Sequence, residues 1–540
     1  MLRALRRLRP TDAWTRALFA PVLMFVATSV DRNYQTDLWH HLARGRAIAA
    51  SGALVDHDLF SYTVPPEQSF QDASWLAQLS YYYLYTAGGL PLVQLANTLV
   101  LTAMIAGVVW LCRRRSGSMV VAAGLAGFTF LGLWQLLLIR PQTYSMFLFV
   151  ALYGVLELAR TRRAWLALAP PIFALWANLH GGFPVGLALV GCYVVAAGWD
   201  AARAAGWSWW RDGQLRALGL CIAACAAATL VNPYGWRVYQ YVAHTSGIAA
   251  ARRIDEWVPP GLDLLVSKVW VVSVLGIIVL FALPGPRPAA REVCLVLCFL
   301  PPACGSVRMA AWWLLVVAPV AAARFAAVLP PRLLAKEEND RPTLGAAIAF
   351  PLLVAVCVLS LPWLERWNPV QTALHRTGRP EDKLQAAADR LRQCRAGGRV
   401  FSRFEWGEYF GWALAPDFKI FMDGRIEIYS DRVWNDYSAI TRGRADWQEV
   451  LDGYAVDCLM LDRDGGYHAD LLPLVERSPC WERAFESGPV VVFLRRRFIV
   501  SRNDKSSTHF FPRCLTKNAA VRFDESSTFF RRVKPCPSSS

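Results

Sequence analysis

"VVWLCRRRSGSMVVAAG" (Val108–Gly124) is an apolar run that ends in three arginines, pauses at Ser116-Gly117-Ser118, and becomes apolar again. Cations are costly in hydrocarbon, so the arginines mark a boundary rather than a core. Each flanking run is about 20 residues long, enough to cross a bilayer as a helix. The stretch therefore predicts a turn between two transmembrane helices. Working outward, apolar runs recur near 14–31, 90–112, 118–138, 143–159, 164–179, 183–199, 215–231, 264–283, 290–305, 309–328 and 344–364. The chain thus reads as a polytopic α-helical membrane protein of about eleven spans.

Basic residues decide the sides. With the N-terminus cytoplasmic, Arg3, Arg6, Arg7 and Arg9 fall inside, as do Arg113 to Arg115 and then Arg160, Arg162 and Arg163. Arg203, Arg211 and Arg216, then Arg287, and finally Arg332, Lys336 and Arg341 follow on the same side. This one-sided placement is the positive-inside pattern of an inner (plasma) membrane protein. The opening "RALRRLR" before "ALFAPVLMFVATSV" could also be read as a secretory signal. Ten further spans favour a retained first helix. Two places are less regular: the short pair around "NLHGGFPVG", and the span at 290–305, interrupted by Pro301-Pro302.

Composition agrees. The 540 residues are 55% hydrophobic and only 18% charged, against about 25% charged in ordinary soluble domains. The net charge of +16 could suggest nucleic acid, but the arginines lie in short runs between apolar segments, with no basic helix bearing base-stacking aromatics. Nucleic acid is excluded as a partner. The thirteen cysteines show no CxxC or Cys/His ligand spacing, which argues against a zinc or iron–sulfur centre.

After Trp363 the pattern changes. "EDKLQAAADRLRQC" and "WQEVLDGYAV" read as helices; "RVFSRF", "FKIFMDG", "DCLMLD" and "VVVFLRR" read as strands. Three parts follow: a membrane domain at 1–364 with a large first outer loop at 32–89, a small α/β domain at 365–500, and a tail at 501–540. An odd number of spans places the α/β domain outside the cell. The tail shows no periodicity and reads as disordered.

The outer segments gather the polar residues of catalytic type. "TDLWHHLARGRAI" (Thr36–Ile48) sets Asp37, His40, His41 and Arg44 at offsets of three, four and seven, one face of a helix. Further outer turns carry Arg140, Asn178, His180, Asn232, Glu256 and Arg308, several where an apolar helix meets the surface. Such groups line cavities, or else cap helices and anchor them at the interface. Capping and anchoring suffice for Arg237 and His244.

"DLWHHLARGRAIAASGALVDHDLFSYT" and the following "SFQDASWLAQLSYYYLYTAGG" resemble the first outer loop of the GT-C membrane glycosyltransferases, within an uncharacterised bacterial subgroup. "RPQTYS" at Arg140, "WANLHGGFPVG" at Trp176, "VNPYGW" at Asn232, "IDEWVPP" at Ile254 and "FMDGRIEIY" at Phe421 extend the resemblance over about residues 15–495. The resemblance implies sugar transfer from a polyprenyl-phosphate donor to a glycan, lipid or protein acceptor on the extracytoplasmic side. It also implies an acidic catalytic base after the first helix, which by position is Asp37. A carboxylate there can take the acceptor hydroxyl's proton. Cationic donors would stabilise the departing lipid phosphate; Arg140, His180 and Arg308 are the candidates, joined by Arg44 and by His40 and His41 from the same helix face. Aminoarabinose and protein O-mannosyl transferases often follow the first acid with a second; here Leu38 follows, and "DASW" stands where they carry a Lys-Pro-Pro-like piece.

Asp56 and Asp58 form a D-x-D, which in many glycosyltransferases holds a divalent metal; with "LFSYT" following, Asp58 alternatively caps a turn. Asp423-Gly424-Arg425 reads most simply as a turn with a salt-bridging Arg. Two other functions stay open: a transporter or flippase of a lipid-linked glycan, and a non-catalytic scaffold presenting the outer domain. A transporter would place polar groups at mid-membrane and show repeated halves. The acids here cluster in one loop, and the halves do not repeat.

Overall fold

The computed structural model describes residues 12–30, 37–252, 255–328, 343–374 and 380–496. The basic run at Arg332 to Arg341 and the expected disordered tail at 501–540 lie outside the described residues. The protein is a polytopic α-helical membrane protein with a small C-terminal sheet. It comprises two packing units, Met1–Gln35 with Gln71–Arg376, and Thr36–Phe70 with Thr377–Ser540.

In the first unit, every apolar run read from the sequence lies on a helix. Among the described residues, six helices are long and apolar enough to cross a membrane: Trp75–Ser116, Met119–Leu136, Gln142–Ala159, Phe183–Arg211, Leu265–Ala282 and Val307–Val328. Thr15–Val30, Gly213–Ala228 and Leu344–Leu359 are shorter apolar helices. Ala169–Leu179 and Ala290–Gly305 complete the set, and the latter runs through Pro301 and Pro302. The helix Val307–Val328 is the hub, buried without interruption from Ala310 to Ala322. Helices approach it closely where side chains vanish: a Cβ at Gly132 would overlap Leu314 and Val269. The Trp313 indole donates to Ser273 Oγ at 2.7 Å, so a buried polar atom on each of two helices is satisfied.

Glu157, 1% exposed, accepts from the Tyr193 hydroxyl at 2.6 Å and pairs with Arg160 at 2.9 Å and Arg115 at 3.6 Å. Arg115 also pairs with Glu292. This network joins helix ends that all carry the basic runs, so part of the positive-inside signal is internally neutralised. Among the described residues of this unit, the helices Arg237–Ala251 and Pro369–Leu374 were not read from the sequence. Nor was the first part of Trp75–Ser116, which precedes a break at Gly88-Gly89, where Gly89 has φ 65°.

The second unit is built on a five-stranded sheet. Its elements are α1 (Asp37–Ser51), α2 (Pro380–Cys394), β1 (Gly398–Ser402), α3 (Phe404–Leu414), β2 (Phe418–Ile420), α4 (Asp431–Thr441), α5 (Trp447–Gly453), β3 (Cys458–Asp462), α6 (Leu471–Arg477), β4 (Trp481–Ser487) and β5 (Val490–Arg495). Strand order is β2-β1-β3-β5-β4; β1 pairs in parallel with β2 and β3, and β5 is antiparallel to β3 and β4. The βαβ step from β1 through α3 to β2 gives the parallel half; the β4–β5 hairpin gives the antiparallel half. β3 is buried at all five positions, the signature of a central strand, whereas β4 exposes charged residues at the sheet edge.

The linear division at 364/365 misses one feature. Residues 37–70 belong to the same packing unit as the sheet. Tyr62 N donates to Ile420 O at 3.1 Å and Ile420 N to Phe60 O at 2.9 Å, so the loop extends the sheet beyond β2. Gln68 donates to Ile428 O at 2.8 Å. On α1, Trp39 packs edge-on against Tyr409 at 4.8 Å between centroids, and Arg46 lies 4.2 Å over the Trp412 ring. These aromatic contacts give α1 the tertiary burial that a 15-residue helix of low mean apolarity lacks alone.

Candidate functional site

Two groups of polar side chains emerge, one in each unit. In the sheet unit, α1 carries Asp37 in its first turn, with His40 one turn on and His41 beside it. The His40 and His41 rings stand 3.9 Å apart between centroids. His40 Nδ1 lies 3.1 Å from Glu408 Oε2 on α3. Glu408 is 1% exposed, and a carboxylate so buried requires a partner.

The approach of α3 to the strand-end loop fixes this arrangement. A Cβ at Gly407 would collide with the Met422 carbonyl oxygen, so glycine lets the helix touch that backbone. The next residue, Glu408, then reaches Gly424, where a Cβ would overlap its Oε1 and lie 3.8 Å from Asp37 Oδ1. Two carboxylates from opposite ends of the sequence thus flank one glycine. Reading the sequence missed Glu408. Its signal was faint: an acid on the buried face of "FEWGEYFGWAL".

Other residues singled out in this unit are bound into its structure. Arg44 is 1% exposed, donates to Val55 O at 2.9 Å, and lies 4.4 Å over the Phe70 ring. Asp56 is at the surface, 3.1 Å from His57 Nδ1. Asp58 Oδ1 is 2.7 Å from Arg425 Nη1, and its Oδ2 accepts from Ser61 N at 2.6 Å. Burial opposes the Asp58 charge, but Arg425 and the Ser61 amide outweigh it and hold the carboxyl below its usual range. The D-x-D therefore splits, Asp56 to solvent and Asp58 to a turn cap and ion pair. Asp423 also pairs with Arg425, at 2.6 Å, and accepts from the Tyr429 hydroxyl at 3.0 Å. Among the described residues, no group of three or more His, Cys, Asp or Glu is arranged to hold a metal ion.

In the helical unit, Arg140, Glu256 and Arg308 come together. Glu256 is 2.5 Å from Arg140 and 3.6 Å from Arg308, so one acid bridges two cations. Ser306 Oγ donates to the Glu256 carbonyl at 3.0 Å, fixing the bridge. His180 is close enough to feel both arginines. Burial, then the charges of Arg308 and Arg140, push its pKa down to about 3.

The tautomer of His180 follows from its neighbours. Gly182 N donates to His180 Nδ1 at 3.1 Å, so Nδ1 accepts and Nε2 carries the proton. Trp176 Nε1 donates to Ser145 Oγ at 2.6 Å, and Ser145 Oγ in turn lies 2.7 Å from Nδ1. His180 is thus a neutral Nε2–H donor, not the cation expected of it.

Asn178 and Asn232 are held in structural roles. Asn178 accepts from the Trp75 indole at 3.0 Å and donates to Val231 O at 2.7 Å. Asn232 closes its turn by donating to Thr229 O at 2.6 Å and accepting from Tyr234 N at 2.7 Å.

No protein-family model matches the chain, and no curated protein matches it. Among solved structures it is similar to the archaeal oligosaccharyltransferase AglB from Archaeoglobus fulgidus, solved in complex with an inhibitory peptide and a dolichol-phosphate. There the identity is 11%, the coverage 89% of this chain and 74% of that one, and the TM-score 0.48. It is also similar to the arabinofuranosyltransferase AftD from Mycobacteria, with 14% identity, 90% coverage of this chain and a TM-score of 0.50; the chain spans 40% of that protein's length. Likeness at this identity is likeness of fold alone, and the fold in question is the one shared with the arabinofuranosyltransferase structure.

Proposed function

We propose that this integral membrane protein transfers a sugar from a polyprenyl-phosphate donor to an acceptor on the extracytoplasmic side, with Asp37 as general base. One observation carries the reading: in a chain similar in fold to a membrane arabinofuranosyltransferase, an acid opens the helix that follows the first apolar helix, and the buried Glu408 reaches the same glycine that this acid approaches. The acceptor oxygen forms a bond to the anomeric carbon while the bond from that carbon to the lipid-phosphate oxygen breaks. The phosphate leaves with the electron pair, and Asp37 takes the acceptor's proton. Inversion at the anomeric carbon follows from such a direct displacement.

A role is assigned within each unit separately. In the helical unit, the guanidinium groups of Arg140 and Arg308 and the neutral Nε2–H of His180 supply donors for a phosphate, and Glu256 sets the two arginines. In the sheet unit, Asp37 supplies the base, with His40 and His41 on the same helix. The one-sided arginine runs support an outward-facing site in the inner membrane. Purified protein incubated with synthetic undecaprenyl-phosphate monosaccharides and a mixed pool of glycan, lipid and peptide acceptors should release free lipid phosphate. Release that is absent with every donor, or equally fast with Arg308→Ala, sinks the reading.

A further inference from the structure

The strand order β2-β1-β3 contains a reversal. From β1 the chain passes through α3 to β2 on one side, then returns through α4 and α5 to β3 on the other, with all three strands parallel. In open α/β sheets, ligands settle outside the carboxyl ends of the strands at such a switch point. Here those ends are Ser402 and Asp462, and Arg403 ties them together. Its Nη1 donates to Asp462 Oδ2 at 3.2 Å, and its Nε and Nη2 donate to the two Glu405 oxygens at 2.8 and 3.0 Å. Arg403 also lies 4.7 Å over the Tyr467 ring. Phe404 is 6.1 Å from Trp434 and 6.4 Å from Tyr467 between ring centroids, and all three rings are half-buried. The loop leaving β3, from Arg463 to Gly466, is exposed. Beside Tyr467, His468 accepts from Asp462 N through Nδ1 at 2.9 Å, so its proton is on Nε2. Buried donors are ordinarily paired, yet this Nε2 is buried and has no hydrogen-bond partner among the described residues. The edge keeps a donor that the fold itself does not match.

The chemistry of these groups selects a ligand. An anion would meet the carboxylates of Glu405 and Asp462, and a cation would meet Arg403. A neutral polyhydroxylated ring meets neither obstacle. Carboxylates accept from its hydroxyls, the guanidinium donates to them, and its C–H face packs on aromatic rings. We propose that the carboxyl edge of β1 and β3 binds a neutral sugar ring through Arg403 and Glu405, beside the rings of Phe404, Trp434 and Tyr467. Its place suits a glycan acceptor. β2 flanks β1 on the other side, and the loop after β2 carries Gly424, where a Cβ would lie 3.8 Å from Asp37 Oδ1. β2 and β3 are two strand spacings apart, roughly 10 Å, a span that a short oligosaccharide covers. The acceptor role rests on the transferase reading; the binding of a neutral sugar does not.

The test uses the full-length protein in detergent micelles on a printed array of neutral, acidic and amino oligosaccharides. The wild type should retain at least one neutral oligosaccharide. Glu405→Gln keeps the size of a partly exposed side chain but removes its charge. It should weaken retention about tenfold or more at an unchanged melting temperature, and Arg403→Gln should weaken it as much. In parallel, lipid-phosphate release from undecaprenyl-phosphate monosaccharides is measured with the retained oligosaccharide as acceptor. Glu405→Gln should raise the acceptor KM more than it lowers kcat. Retention of no neutral oligosaccharide overturns the proposal, as does retention of charged glycans alone. Retention equal to wild type in both variants puts the sugar elsewhere and overturns it too. If the wild type retains a neutral sugar but releases no lipid phosphate with any donor, the transferase reading fails and the sugar site stands.

Discussion

Asp37 is the residue on which the base assignment turns. Asp37→Asn keeps the size of the side chain and part of its hydrogen bonding, but the amide cannot take up a proton. Positioned acid–base groups contribute about 10²–10⁴-fold in rate, so turnover should fall at least about 10²-fold with little change in melting temperature. If Asp37 only caps α1, its loss costs roughly 0.5–2 kcal/mol, and activity follows the amount of folded protein. Turnover and melting temperature from one purified sample separate the two. His468 offers a different single-residue experiment. It is fully buried, its Nδ1 accepts from Asp462 N at 2.9 Å, and burial, then Arg403, push its pKa from 6.5 down to about 3. Between those values the unfolded chain binds a proton that the folded chain refuses. The stability this gives is complete above pH 6.5 and is lost as the pH falls toward 3. His468→Asn keeps an acceptor for the Asp462 amide without the titration. Its stability should fall less steeply than the wild type's between pH 6.5 and 4, and parallel curves would contradict the assignment.

The contact between α3 and the loop after β2 depends on Gly407 having no side chain. The Met422 carbonyl that a Cβ would strike is backbone, so it cannot swing aside. Gly407→Ala should therefore cost about 1–3 kcal/mol in the sheet unit, the usual range for overpacking. It should also move Glu408 away from Gly424, lowering turnover more than Leu414→Ala would at equal stability. A variant as stable and active as wild type would mean that the helix can slide. This element also marks the limit of what the sequence displays. The apolar runs announced their helices because lipid demands about 20 consecutive apolar residues. α1 was legible from the 3.6-residue spacing of its polar face, and four strands from short apolar runs that alternate with helical segments. Local patterning carries no trace of a contact such as His40 to Glu408, made across 368 residues. Arg44 was misjudged for the same reason: its partners Val55 and Phe70 are irregular loop residues, and a buried arginine looks in sequence like an exposed one. β4 escaped notice because an edge strand studded with charges reads as a loop.

Across the whole molecule, packing constrains the membrane topology. Residues 37–70 and 380–496 share one sheet and one core, so both must lie on the same side of the bilayer. The chain between them must then cross an even number of times. Ten of the spans read from the sequence fall in that interval, so the parity holds only if the short helices are counted in pairs. Dropping Ala290–Gly305 alone, on account of Pro301 and Pro302, would strand α1 and the sheet on opposite faces. Either that helix crosses, or a second one among Ala169–Leu179, Gly213–Ala228 and Leu344–Leu359 fails to cross with it. The arginine runs then fix the absolute direction. Reporter fusions after Arg115 and Arg163 should read as cytoplasmic, and fusions after Gly89 and Arg379 as extracytoplasmic. Opposite signals at Gly89 and Arg379 would break the parity and contradict the sheet unit itself. Matching cytoplasmic signals at both would preserve the fold but turn Asp37 inward, away from any extracytoplasmic acceptor.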